Sequence, residues 1–137
     1  MTDLFEAMGL ASFGMRAQGT RLRVISENMA NANTTATTPG GDPYQRQLVT
    51  FESLMNRDTN MREVRVGDII KDNAAFRLKY DPTHPAAGED GYLKLPNVNI
   101  LVEMVDLREA QRSYEANLGI VDMTRSLVVR TIDLLRA

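Results

Sequence analysis

Two stretches of the chain repeat apolar residues at alternating steps of three and four. The first runs Leu4, Met8, Ala11, Met15, Gln18, Leu22, Ile25, Met29 and Ala32, with Gln18 its single polar member. Toward the C-terminus the same steps give Ile100, Met104, Leu107, Gln111, Tyr114, Leu118, Val121, Arg125, Val128, Ile132 and Leu135. A seven-residue repeat of this kind predicts a helix with a coiled-coil-like seam on each arm. At ~1.5 Å per residue the arms would span roughly 45 and 55 Å, more than a compact domain of this mass needs. An amphipathic helix folded onto its own core writes the same stripe, so the pattern alone leaves both uses open.

All five prolines, Pro39, Pro43, Pro82, Pro85 and Pro96, lie between the two repeats. The first arm runs into Ser26-Glu27-Asn28-Met29-Ala30-Asn31-Ala32-Asn33-Thr34-Thr35, whose Asn and Thr side chains compete for backbone hydrogen bonds, so the helix is expected to fray there. Thr37 to Pro43 reads as a loop by its Gly and Pro content. Beyond it the period becomes two. Tyr44, Arg46, Leu48 and Thr50 alternate with Gln45, Gln47, Val49 and Phe51 as a first strand. Val64, Val66, Ile69 and Ile70 around Gly67 suggest a second strand with a bulge, and Phe76, Leu78 and Tyr80 a third, with Asp72-Asn73 as the hairpin turn between them. Asp81 to Pro85 and Gly88 to Gly91 are further turns, and Tyr92 to Leu95 is a short strand. Asn97 or Asn99 can cap the second helix, with Glu103 and Asp106 near its positive end and Arg130 and Arg136 near its negative end.

The expected fold is mainly α with a small β module. Residues 1–33 form an N-terminal helical arm, 34–97 a central loop and antiparallel β-hairpin region, and 98–137 a C-terminal helical arm that pairs with the first in coiled-coil fashion.

A chain of 137 residues with these apolar and charged fractions fits one domain of ordinary soluble composition. The formal charge of −2 is spread thinly: residues 1–33 are neutral, and the middle and the last forty residues carry −1 each. Nothing resembles a polyanion-binding surface, so nucleic acid is not an expected partner. The chain has no cysteine, which excludes disulfides, thiolate catalysis and zinc–thiolate sites. No apolar run reaches the ~18 to 20 residues of a membrane span. Asp3 and Glu6 stand where a secretory signal would be basic, so export would need another route.

Candidate chemistry is sparse. His84, the single histidine, has Asp81, Glu89 and Asp90 nearby in sequence, which permits an acid–base or metal site. One His without Cys cannot complete a structural zinc site, and a Pro-flanked His in a turn more often bonds locally. Gly88-Glu89-Asp90-Gly91 lacks the alternating oxygen ligands of a calcium loop, and Gly40-Gly41 lacks the Lys of a phosphate loop. No catalytic, metal or cofactor site is expected. Gly9, Gly14 and Gly19 each cost roughly 1 kcal/mol relative to Ala inside a helix. They either admit a neighbouring backbone or keep the arm unfolded until partners arrive, and both uses point to assembly.

Four stretches carry a resemblance. Ser26-Glu27-Asn28-Met29-Ala30-Asn31-Ala32 is similar to the Asn-Leu-Ala-Asn-Ala signature of the axial proteins of the bacterial flagellum, with Met29 in place of Leu. Thr34-Thr35 with Gly40-Gly41-Asp42-Pro43-Tyr44-Gln45-Arg46 and Phe51-Glu52 resembles the proximal-rod branch of that family. So does Tyr80-Asp81-Pro82-Thr83-His84-Pro85 with Gly91-Tyr92 and Pro96-Asn97-Val98-Asn99, the stretch that separates this branch from sibling rod subunits. Glu103-Met104 and Arg112-Ser113-Tyr114-Glu115-Ala116-Asn117 resemble the family's C-terminal helix.

The resemblance implies a structural subunit of the basal-body proximal rod, a periplasm-spanning drive shaft, with both terminal helices in its inner layer. It also implies export through the flagellar type III apparatus without a cleavable signal. Its partners would be further copies of the chain and neighbouring rod proteins, with no direct membrane span. The residues expected at assembly interfaces are Met8, Met15, Leu22, Ile25, Asn28, Met29, Asn31, Ile100, Met104, Leu107, Tyr114, Asn117, Leu118, Val121, Val128, Ile132 and Leu135. A sibling rod subunit, a membrane-surface protein using amphipathic arms, and an enzyme centred on His84 are the competing readings. Balanced charge and the absence of Trp weigh against the membrane.

Overall fold

A computed structural model describes residues 2–57 and 61–136. Two long helices, α1 (Thr2–Ala30) and α2 (Ile100–Arg136), bracket four strands: β1 (Gln47–Asn56), β2 (Met61–Lys71), β3 (Arg77–Tyr80) and β4 (Tyr92–Leu95). The mainly helical fold with a small β module is the expected one.

α2 starts where its cap dictates. The Asn99 side-chain oxygen accepts the N–H of Leu101 at 3.0 Å, while the Asn99 carbonyl accepts from Glu103 as the first helical bond. α1 ends inside its Asn-rich run, at Ala30, and the side chains there close the helix: Asn31 donates from its amide to the Glu27 carbonyl at 2.8 Å, and Thr34 closes onto the Asn31 side chain.

The strands form two separate two-stranded sheets, β1 with β2 and β3 with β4. In the second, antiparallel register places Arg77 opposite Leu95 and Tyr80 opposite Tyr92, whose rings meet edge to face at 5.3 Å. Gly91 closes this hairpin at φ +75°, a conformation that L side chains rarely adopt. The hairpin expected at Asp72-Asn73 between the second and third strands is therefore not formed. Asp72 is held by other partners: its N–H donates to the Arg46 carbonyl, its own carbonyl accepts from Gln45 and Asn97, and its carboxylate turns the chain by accepting the N–H of Ala74. The chain leaves the first hairpin there instead of folding back on it.

The chain divides into two compact units, the first comprising Met1–Leu22, Thr50–Asp68 and Arg108–Ala137, the second Arg23–Val49 and Ile69–Leu107. In the first, α1 and α2 run antiparallel. Gly14 lies beside Asn117, and further along Arg21 bonds Glu109 at 3.4 Å. Ala11, Ala17, Ala110 and Thr124 are buried in this unit. Thr50 ties the strands of this unit, its hydroxyl accepting from Asp68 N–H and donating to Asp68 O. The second unit buries Val24, Ile25, Ala32, Ala86, Leu93, Pro96 and Val98 around a polar centre.

Candidate functional site

The polar centre of the second unit is organised by Asn28, only 1 % exposed. Its helical position aims the amide at the start of β1, where it pairs with Gln47 as a neighbouring strand would. Asn28 Oδ1 accepts the Gln47 N–H at 2.9 Å and Nδ2 donates to the Gln47 carbonyl at 2.8 Å. The same oxygen accepts the Tyr44 hydroxyl at 2.9 Å, and the same nitrogen reaches Glu103 Oε2 at 3.2 Å. All four bonds an amide side chain can make are thus formed.

Glu103 carries the network into α2. This fully buried carboxylate accepts Arg46 Nε through its other oxygen at 2.6 Å. The remaining arms of the Arg46 guanidinium reach Asp72 at 3.4 Å and Asp106 at 3.5 Å, so its planar fork spans three carboxylates. The Arg46 backbone is held as well, because its N–H donates to Asn97 Oδ1 at 2.8 Å while Asn97 Nδ2 donates to the carbonyls of Asp72 and Ala74. Asn97, a candidate helix cap by sequence, is a bracket between loop and strand instead. Burial works against the Arg46 charge, but the hydrogen bonds and charges of Glu103 and then Asp72 outweigh it and hold its pKa above the ordinary value. Burial, then the charges of Glu27 and Glu103, likewise keeps the Tyr44 phenol above its usual range.

Sequence reasoning singled out Asn28 but not its partners. Tyr44, Arg46 and Glu103 lie in the stretches that carried the resemblance, yet no periodicity marks them as one cluster. A buried Glu on a helix announces itself only when its Arg, dozens of residues away, is known to face it.

The seams behave differently on the two arms. Along the first stripe, Ala11, Ile25 and, just past α1, Ala32 are buried and Met8, Met15, Leu22 and Met29 are half-buried, so this stripe faces the chain's own interior. Gln18, its polar member, keeps a buried side-chain oxygen with no hydrogen-bond donor among the described residues. On α2 the inward line lies one residue off the apolar repeat. Glu103, Ala110 and Thr124 are buried and Asp106, Ser113, Asn117 and Thr131 half-buried, together with Leu107, Val121 and Val128. Ile100, Met104, Tyr114, Leu118, Ile132 and Leu135 are exposed. The expected apolar seam is therefore not what joins this helix to its own chain. Gly14 marks one point of close approach on this side, where a Cβ would meet the Asn117 side chain. Leu101, Val102, Val105, Ile120, Met123, Leu127, Val129 and Leu134 add to the exposed apolar surface.

His84 structures its own turn. Its Nδ1 accepts the N–H of Ala86 at 3.1 Å, its N–H donates to the Asp81 carbonyl, and its carbonyl accepts from Ala87. The neighbouring Asp81 carboxyl is held below its usual range, first by the Thr83 hydroxyl and then by Lys79 and His84, against a smaller opposing effect of desolvation. Among the described residues no group of three His, Cys, Asp or Glu side chains could hold a metal ion, and no helix is long and apolar enough to cross a membrane.

Residues 89–134, which contain β4 and most of α2, match the family model described as the flagellar basal body rod FlgEFG protein C-terminal region. Over its whole length the chain is 49 % identical to a flagellar basal-body rod protein FlgC of Agrobacterium fabrum, covering 99 % of that protein. A FlgC of Borreliella burgdorferi is 40 % identical, over 90 % of this chain and 92 % of its own length. One from Salmonella typhimurium is 34 % identical, over 96 % and 97 %. Asn28, Arg46 and Glu103 all lie within the full-length match, and the chain belongs to the FlgC family of flagellar basal-body rod proteins.

Proposed function

We propose that this chain is a structural subunit of the proximal rod of the flagellar basal body, where it polymerises with copies of itself and neighbouring rod proteins into the periplasm-spanning shaft that transmits torque. The observation that carries this reading is the outer surface of α2. Leu118 is 42 % exposed, Met123 67 % and Leu134 78 %, on a helix whose buried residues are Glu103, Ala110 and Thr124. Burying a large apolar side chain contributes roughly 1.5 to 3 kcal/mol, so a helix that displays this many is shaped for contacts outside its own chain. Contacts between unlike patches repeat without closing and build a tube. The flagellar type III apparatus exports the subunit.

The test is charge on the exposed face. Leu118→Asp and Met123→Asp would bury an unpaired carboxylate in any helix interface, and each should abolish rod completion. Arg112→Gln, at an exposed polar position, should swim. Ile25 is unsuitable because it is core in the chain itself. Detecting the mutant protein outside the cytoplasm separates failed assembly from failed export. Normal flagella from both Asp variants would overturn the reading.

A further inference from the structure

The two units differ in how they are held together. The largest fully buried side chains are Glu103, Val24, Val98, Asn28 and Pro96, and every one belongs to the second unit. Two of them, Asn28 and Glu103, join Arg46 and Gln47 in a network in which each buried polar atom of Asn28 and Glu103 is bonded. The first unit buries alanines, Thr124 and Glu63, and retains the orphan oxygen of Gln18. Its Arg21–Glu109 ion pair is largely exposed on the Glu109 side. Local stability follows such differences in packing and bond satisfaction.

We propose that the second unit is a preformed clamp that includes the inner turns of both helices, Arg23–Ala30 and Ile100–Leu107, and that it nucleates the two arms. The stable element of the free chain is then not the β module alone, and its boundaries fall inside the helices, near Leu22 and Leu107, not at their ends. The physical consequence is specific. Starting a helix costs far more than extending one, because several residues must be fixed before the first bond forms. An inner turn of α1 fixed by Asn28 and an inner turn of α2 fixed by Glu103 remove that cost. The direct Asn28–Glu103 bond also sets the register from which both arms grow outward. The clamp concerns the free chain, and holds whether or not the outer faces are the rod contacts.

Hydrogen exchange followed by mass spectrometry on the purified, monomeric full-length chain tests this. Peptides covering residues 24–32 and 100–107 should exchange about tenfold or more slowly than those covering 4–20 and 110–130, and about as slowly as those from β3 and β4. Asn28→Ala should accelerate exchange in both inner segments together, by roughly ten- to hundredfold, though Asn28 touches only the second of them through one bond. β3 and β4 should keep their protection. Uniform exchange along each helix, whether fast or slow, would overturn the proposal, and so would inner segments that stay protected in Asn28→Ala. If that variant does not fold, the wild-type profile decides alone. The swimming of Leu118→Asp bears on the assembly reading and is independent of this profile.

Discussion

Gly14 of α1 faces the side-chain amide of Asn117 on α2 so closely that a Cβ on Gly14 would stand 2.8 Å from Asn117 Nδ2. That amide also donates to the Ser113 carbonyl at 3.0 Å, which limits its freedom to move aside. Gly9 and Gly19 have open space where a Cβ would go. The three glycines, equal by propensity, are thus unequal by packing. Each change to Ala should raise the helicity of the free chain, by roughly 1 kcal/mol per site. Only Gly14→Ala should also impair swimming and basal-body yield, since its methyl group meets a packed neighbour. Circular dichroism and motility assays read the two effects separately. A Gly14→Ala strain that swims as well as Gly9→Ala would show that the close approach is dispensable.

The Arg46–Glu103 pair should be asymmetric to mutation. Arg46→Met leaves a fully buried carboxylate with Asn28 as its only donor among the bonds described, and should cost about 3 to 5 kcal/mol in urea titrations. Arg46→Lys should fall between that variant and wild type, because an ammonium cannot span Glu103, Asp72 and Asp106 together. Adding Glu103→Gln to Arg46→Met should recover part of the loss. A double mutant that is no better than Arg46→Met would mean that the buried charge is not what destabilises it.

Alkaline titration should unfold the second unit partly through Tyr44. Its folded pKa is raised above 10.0, chiefly by burial and then by Glu27 and Glu103, so the native state holds the phenolic proton more tightly than the unfolded chain does. The corresponding stability is complete below pH 10.0 and is lost as pH rises through the folded value. Tyr44→Phe should be less stable at neutral pH by about 1 kcal/mol, through the lost bond to Asn28, yet lose stability less steeply above pH 10.0. Denaturant curves at a series of pH values, with tyrosinate absorbance recorded in parallel, provide the comparison. An equal slope in the two proteins would assign the alkaline transition elsewhere.

His84→Ala removes one acceptor, the partner of Ala86 N–H, from a turn that two backbone bonds also hold. Stability should fall by ~1 kcal/mol or less, with swimming near wild type. Loss of motility from a folded, incorporated His84→Ala subunit would give the residue a role beyond the turn.

How much was legible in the sequence depended on how local the cause was. Tyr92–Leu95 and the Asn99 cap stand where short-range rules put them, because alternation and an N-terminal Asn act within a few residues. The pairing of strands was misread at Asp72, whose turn chemistry is real but whose backbone is committed to Arg46, Gln45 and Asn97. The α2 repeat is legible as a repeat, but the pattern leaves open whether it packs within the chain or outside it. Periodicity locates the apolar face of a helix, but which side its own chain covers depends on contacts far away in sequence, such as that of Gly14 with Asn117. Asn28 is visible as part of a signature, and its four bonds are not, since the groups that satisfy it come from two distant segments, Tyr44 to Gln47 and Glu103.

The saturation of Asn28 also bears on chemical ageing. Hydrolysis of an asparagine amide consumes a water and releases ammonia, and where the product is aspartate it exchanges NH2 for an oxygen and leaves every other heavy atom in place. At this position the new oxygen would face the Glu103 carboxylate at 3.2 Å and the Gln47 carbonyl at 2.8 Å, turning two attractions into two repulsions. An aged copy would keep its length and its side-chain shape, yet open first at the junction between helix and strand.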